Sequence, residues 1–191
     1  MPECKHVITL DHDTSLFDTD RLVAIMEHPY NAKFAVMALN MRSYLSKLTT
    51  PFSRLMCGNA GVSHYDCNSD ALRKLHGYTC YTGKGIYRVQ KFSELTGTAL
   101  PKGRILSHDF IEGELAGCGW SGVSALEEYP HTSAAYYSRA ERWMRGDIQN
   151  IPYLRRNSPD MFGNSRRRKI SPVALFLAVD NLLRILHPQL S

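Results

Sequence analysis

The chain has 191 residues, 43% of them apolar, and a formal charge of +5 at neutral pH. That length and composition suit one domain with a real core. Six cations against a single acid between residues 155 and 169 account for the whole charge excess, so the basicity is local and argues against a nucleic-acid partner.

Cys4, Cys57, Cys67, Cys80 and Cys118 form no dense framework and suit a reducing compartment. The spacing of His64, Cys67, His76 and Cys80 matches no standard zinc pattern. No apolar run reaches the ~18 residues of a membrane span, and no stretch reads as a signal peptide.

In chain order, Val7 to Leu10 is a strand-forming run that leads directly into Asp11-His12-Asp13. Side chains at i and i+2 share a face of a strand, so at its end the two carboxylates can converge. Hard oxygen ligands suit Mg²⁺ or Mn²⁺, with phosphate oxygens and water completing the shell. In open α/β sheets, ligands bind at the carboxyl ends of strands. Asp11 and Asp13 therefore read as a metal–diphosphate site; the competing account is a turn or helix cap.

Asp18 or Thr19 caps a helix with the apolar stripe Leu22, Val23, Ile25 and Met26, stopped by Pro29. Phe34 to Leu48 fits both a helical and an alternating period. Phe52 to Cys67, with Gly58, Asn59 and Gly61, reads as loop, and Ser69 caps a short helix through His76 that Gly77 closes. In Thr82-Gly83-Lys84-Gly85-Ile86-Tyr87, two glycines around a lysine lead into a strand and let backbone approach a ligand. A plain turn with an exposed lysine explains the same residues.

Ser107 is a reasonable N-cap for a helix ended by Gly117 and Gly119. Asp109 then lies in the first turn, either complementing the helix dipole or acting as a general base in a cleft. Trp120 to Leu126 reads as a strand. A further helix starts at Thr132 or Ser133, runs to about Arg145 and is closed by Gly146. Arg139, Arg142 and Trp143 share one of its faces, where guanidinium groups suit a diphosphate and an indole suits a sugar ring. A buried tryptophan with arginines snorkelling around it is the alternative.

Residues 155 to 171 read as a basic loop. Ser171-Pro172 starts a helix that is nearly all apolar from Val173 to Leu186. Its ~15 residues are short of the ~20 that cross a bilayer, so a helix lying at a membrane interface behind a basic segment fits better. A core helix is the alternative.

Taken in order, several blocks resemble the glycosyltransferase domain of cyclic β-1,2-glucan synthases. They are Leu10-Asp11-His12-Asp13-Thr14, His28-Pro29-Tyr30-Asn31, Pro51-Phe52-Ser53-Arg54-Leu55, Gly58-Asn59-Ala60-Gly61, Thr82–Tyr87, Leu106-Ser107-His108-Asp109, Glu128-Tyr129-Pro130 and Arg139–Asp147. That family belongs to the processive, inverting β-glycosyltransferases of GT-A fold, and the likeness runs from about Val7 to His187.

The resemblance implies an α/β fold, a partial GT-A mixed sheet flanked by helices, over residues 1–154. The basic loop at 155–171 and an amphipathic interfacial helix at 172–191 would follow. It implies UDP-glucose as donor, a glucan acceptor, and Mg²⁺ or Mn²⁺ on Asp11 and Asp13. It implies Asp109 as catalytic base, with Gly83, Lys84, Gly85, Arg139, Arg142 and Trp143 holding donor or acceptor. It further implies a place at the cytoplasmic face of a bacterial inner membrane, and an N-terminal part of the GT-A domain ahead of Val7. A catalytically inactive fragment serving as a membrane-surface or interaction module is the alternative expectation.

Overall fold

The computed structural model describes residues 4–57, 77, 79–100, 105 and 108–190. The expected helix at 69–76, the block at 58–61 and the cap at Ser107 lie outside them, as do His64, Cys67 and His76. Five strands form one mixed sheet: β1 (His6–Thr9), β2 (Ser15–Leu16), β3 (Val36–Ser43), β4 (Gly85–Arg88) and β5 (Cys118–Glu127). Their order is β1-β4-β3-β5-β2. Six α-helices occur among the described residues: α1 (Thr19–Glu27), α2 (Pro51–Met56), α3 (Val89–Thr96), α4 (Asp109–Ala116), α5 (Ser133–Asn150) and α6 (Pro172–Leu190). The expected α/β class, a mixed sheet flanked by helices, is what is found, consistent with a partial GT-A-like fold.

Strand direction decides where a site can form. β3 and β5 run parallel, and β4 is antiparallel to both β3 and β1. β1, β3 and β5 therefore point the same way, so their carboxyl ends, Thr9, Ser43 and Glu127, lie toward the same edge of the sheet, with β3 and β5 running on past the end of β1. β4 starts at that edge, with Gly85 opposite Thr9. Between Ala38 and Asn40 of β3, β5 advances from Trp120 to Ser124, an irregularity that sharpens the local twist. Gly122 supplies a positive φ of 68° there, and the Ser121 hydroxyl donates to the Ala38 carbonyl at 2.7 Å.

β3 is the centre of the core. Val36, Met37, Ala38 and Leu39 are all buried, so both of its faces are covered. On one face Met37 and Leu39 pack with Leu22 and Met26 of α1, Ile86, Val123 and Ala125. On the other, Val36 and Ala38 pack with Ala35, Tyr81 and Ala116. Burying one such Leu or Met stabilises by about 1.5–3 kcal/mol. A strand covered on both sides needs a continuous apolar run, which is why Phe34–Leu48 carries two periodicities at once.

Several local expectations need correction. Residues 51–56 form helix α2, where loop was expected, because Thr50 and Ser53 make a reciprocal capping box and Pro51 occupies the first turn. α5 does not stop at Gly146; it runs to Asn150, with Gly146 and Asn150 buried along its length. Residues 155–171 are not all loop. β6 (Asn157–Pro159) and β7 (Ser165–Arg167) make a hairpin, and the Arg168 that follows is buried. Its guanidinium donates to the Ser158 hydroxyl and to the carbonyls of Ala99 and Pro159. α6 puts Ala174 and Leu177 into a cluster with Cys80, Phe110, Ile111 and Tyr153. Among the described residues, no helix is long and apolar enough to cross a membrane.

Candidate active site

The carboxyl edge of the sheet collects most of the candidate residues. The chain leaves β1 at Thr9 and turns over Asp11–Thr14, a turn closed by the Thr14 amide donating to the Asp11 carbonyl at 3.0 Å. The two aspartates thus sit on a turn just beyond β1, Asp11 exposed and Asp13 half-buried. Next along the edge is Lys84, immediately before β4. Its ammonium lies 3.0 Å from Oδ2 of Asp11 and 2.7 Å from Oε2 of Glu127, the last residue of β5. Burial opposes the charged form of Lys84, but Glu127 and then Asp11 outweigh it and raise its pKa above the usual lysine value.

Gly83 has φ +82°, and a Cβ there would lie 2.8 Å from Oδ2 of Asp109. Only glycine both adopts that backbone and leaves the carboxylate its room. Gly85 is equally confined: a Cβ would fall 2.3 Å from the Met37 carbonyl oxygen. The Gly-Lys-Gly segment therefore runs between the Asp11 turn and α4, touching one through Lys84 and the other through Gly83.

Asp109 is the first residue of α4, and His108 caps the helix without a side-chain hydrogen bond. Burial pushes the Asp109 carboxyl above the usual carboxylate range; Glu112 and Asp11 push the same way, opposed by His108 and Lys84. A half-buried carboxylate that holds its proton more tightly is suited to general-base work near neutrality. Glu112 is engaged elsewhere, 3.0 Å from Nδ1 of His108, and that hydrogen bond raises the histidine's pKa. His108, Asp109 and Glu112 also bring one potential ligand atom each within 4.8 Å of one another.

The donor set at Asp11 and Asp13 fits a hard divalent cation. Both residues offer carboxylate oxygens from one tight turn, and the hydroxyl of Thr14 in that turn is buried with no hydrogen-bond partner. One oxygen of Asp11 faces Lys84 rather than open solvent.

Arg139, Arg142 and Trp143 stand on α5, whose start Thr132 caps by accepting from the Ala135 amide at 3.2 Å. The Arg139 guanidinium lies 4.7 Å from the Trp143 ring centre and 5.8 Å from that of Tyr129. Tyr129 follows β5 by two residues, which ties this stack to the same edge of the sheet. Arg142 is exposed.

Sequence reasoning assigned no role to Glu127, Glu128, Lys47 or Tyr81. Glu128 pairs with Lys47, and the charge of Asp13 also acts on Lys47. The signal for Glu127-Glu128 was the one that selected Asp11 and Asp13, carboxylates at the end of a parallel strand. Tyr81 is buried, and its hydroxyl lies 3.0 Å from that of Thr9.

No family model matches the chain. It is 30% identical to the cyclic beta-(1,2)-glucan synthase NdvB of Rhizobium meliloti over 91% of its own length, and spans 7% of that protein. It is 27% identical to the glucans biosynthesis glucosyltransferase H of Bradyrhizobium diazoefficiens over 78% of its length, and spans 22% of that protein. This homology supports a glycosyltransferase role.

Proposed function

We propose that the chain is part of an inverting glycosyltransferase of GT-A type that moves glucose from UDP-glucose onto a growing β-1,2-glucan. One observation carries the reading: Gly83 lies against the carboxylate of Asp109, the next residue, Lys84, puts its ammonium on Asp11, and the charges of Lys84 and Asp11 both act on Asp109. A candidate base and a candidate diphosphate site are thereby adjacent, as transfer from a nucleoside diphosphate requires.

In this reading Asp109 accepts the proton of the acceptor hydroxyl as its oxygen bonds to the anomeric carbon and the bond to the diphosphate breaks. Lys84 donates to the diphosphate. Arg139 and Arg142 offer guanidinium forks to phosphate or acceptor, and the Trp143 ring stacks on a sugar. Gly83 and Gly85 keep the backbone close enough for these contacts. Asp11 and Asp13 would hold Mg²⁺ or Mn²⁺, which when bound neutralises charge on the departing diphosphate.

Titration of UDP into the chain tests this. Affinity is expected to depend on Mg²⁺ and to be lost in Asp11→Asn and Asp13→Asn. UDP binding that ignores both Mg²⁺ and these substitutions would overturn the metal–diphosphate assignment.

A second reading has its own support. α6 exposes Leu175, Phe176, Val179 and Leu183 while its other face is in the core. Exposed Arg155, Arg156, Arg166 and Arg167 precede the helix in the chain, and an apolar face next to such a basic segment suits an anionic membrane surface such as the cytoplasmic side of a bacterial inner membrane. An inactive fragment acting only as a membrane-surface module would keep this property and bind no UDP.

A further inference from the structure

Lys84 is offered to a diphosphate, yet its ammonium is already held by two carboxylates. Asp11 Oδ2 is 3.0 Å away and Glu127 Oε2 is 2.7 Å away. The two partners differ. The Glu127 side chain is 22% exposed and the Asp11 side chain 62%, so the Glu127 contact is the shorter and the better shielded. Asp11 is also the residue that a divalent cation would take. A cation and an ammonium compete for that one carboxylate.

We propose that Glu127 is a positioning residue that retains Lys84 at the site when Asp11 passes from the lysine to the metal, and that metal and diphosphate therefore bind cooperatively. This rests on the metal–diphosphate reading of Asp11 and Asp13. An ammonium has three N–H donors, of which Asp11 and Glu127 engage two. Without metal, a diphosphate meets a lysine whose charge two carboxylates offset. Without diphosphate, a cation must displace the lysine from Asp11. When both arrive, the cation takes Asp11 and the freed donor of Lys84 turns to a phosphate oxygen. Glu127 keeps the flexible lysine from swinging out to solvent.

The test measures Mn²⁺ binding alone by electron paramagnetic resonance, and UDP binding with and without Mn²⁺ by calorimetry. In the wild-type chain each ligand should raise the affinity of the other on the order of tenfold. Lys84→Met should bind Mn²⁺ alone more tightly and show a weaker coupling, with only the direct attraction between metal and diphosphate left. Glu127→Gln should bind Mn²⁺ alone more weakly, since Lys84 has no second carboxylate to fall back on, and Glu127→Asp should restore part of the coupling.

Lys47→Met separates exchange from a general field effect, because Lys47 lies near Asp13 but pairs with Glu128. An effect on Mn²⁺ as large as that of Lys84→Met would overturn the exchange. If Mn²⁺ and UDP bind the wild-type chain cooperatively but Glu127→Gln leaves that coupling unchanged, the role of Glu127 falls and the metal–diphosphate reading stands; if they bind independently, both fall. If neither binds, both fall. Far-UV circular dichroism checks that each variant is folded, and the glutamate pair carries the test should Lys84→Met be unfolded.

Discussion

Gly83 lies so close against Asp109 that an added Cβ would come within 2.8 Å of Oδ2 and 3.1 Å of Cγ. Backbone conformation and side-chain placement are thus coupled at one residue. Gly163 has the same φ of +82° but nothing within 4 Å of its Cβ position. The two glycines separate the effect of backbone strain from that of contact.

Gly163→Ala should destabilise by the strain alone, about 1–2 kcal/mol. Gly83→Ala should add the displacement of the Asp109 carboxylate, for a total of roughly 2–4 kcal/mol. Urea denaturation measures both. Equal losses would mean that Asp109 moves aside freely and is not held by the Gly83 backbone.

Asp109 has a folded-state pKa raised above its unfolded value, mainly by burial. Its contribution to stability is therefore present below the ordinary carboxylate pKa and lost as pH rises through the folded value. At neutral pH the partly desolvated charge opposes folding, and Asp109→Asn removes it. That variant should melt above wild type at pH 7, with the gap closing as pH falls below the carboxylate range. Transfer should fall by about 10² or more, the scale for losing a positioned base. A variant with near wild-type transfer would remove Asp109 from the mechanism.

Glu112 serves as the comparison, because its nearest partner is His108 and not the Gly83 loop. The hydrogen bond to Glu112 raises the His108 pKa, so its stabilisation is full below the ordinary histidine value and lost as pH rises through the folded one. Glu112→Gln should lower the His108 pKa, read by NMR titration, and affect transfer far less than Asp109→Asn. Abolished transfer in Glu112→Gln alone would reverse the assignment.

Tyr81 ties the two halves of the site together. Its hydroxyl meets Thr9 at the end of β1, and its Cβ sits where a side chain on Gly113 of α4 would fall, at 2.5 Å. Burial raises the phenol's pKa, so it stays neutral across the working range. Tyr81→Phe keeps the ring and loses one partly buried hydrogen bond, about 0.5–1.5 kcal/mol by thermal melt. The expected functional signature is weaker Mn²⁺ binding at the Asp11 turn with an unchanged Asp109 pKa. Unchanged Mn²⁺ affinity would limit Tyr81 to packing.

The legible parts of the fold are those set by near neighbours. The β1 run meeting Asp11, the Asp18 cap of α1, and Gly83-Lys84-Gly85 entering β4 all stand out in the sequence. α2 was equally available, since Thr50-Pro51 and Ser53 spell out its capping box, but the glycines that follow drew the segment toward loop. Gly146 misled in the opposite direction, because a small residue buried along a helix looks the same in sequence as one that ends it. The contacts of Lys84 with Glu127, 43 residues apart, and of Arg168 with Ala99, 69 apart, depend on tertiary arrangement. No local pattern announces them.

The C-terminal segment yields the last prediction. Within it, Arg168 and Leu177 are buried while Arg166, Arg167 and Phe176 face solvent. Arg168 is 5% exposed and donates through Nε and one terminal nitrogen to Ser158, Ala99 and Pro159, so Arg168→Ala leaves buried acceptors without a donor and should cost about 2–4 kcal/mol. Leu177 is buried beside Phe110 and Ile111, and Leu177→Ala should cost about 2–5 kcal/mol. Phe176 is 64% exposed, and Arg166 and Arg167 are exposed as well. Phe176→Ser, and Arg166→Ala with Arg167→Ala, should leave the melting temperature nearly unchanged. If α6 rests on a membrane, both changes should weaken co-sedimentation with vesicles containing phosphatidylserine. The arginine change should matter less as salt rises and the Debye length shrinks to ~3 Å near 1 M. Equal binding to neutral and anionic vesicles would remove the electrostatic part. Co-sedimentation insensitive to Phe176→Ser would show that the apolar face of α6 is not what meets the lipid.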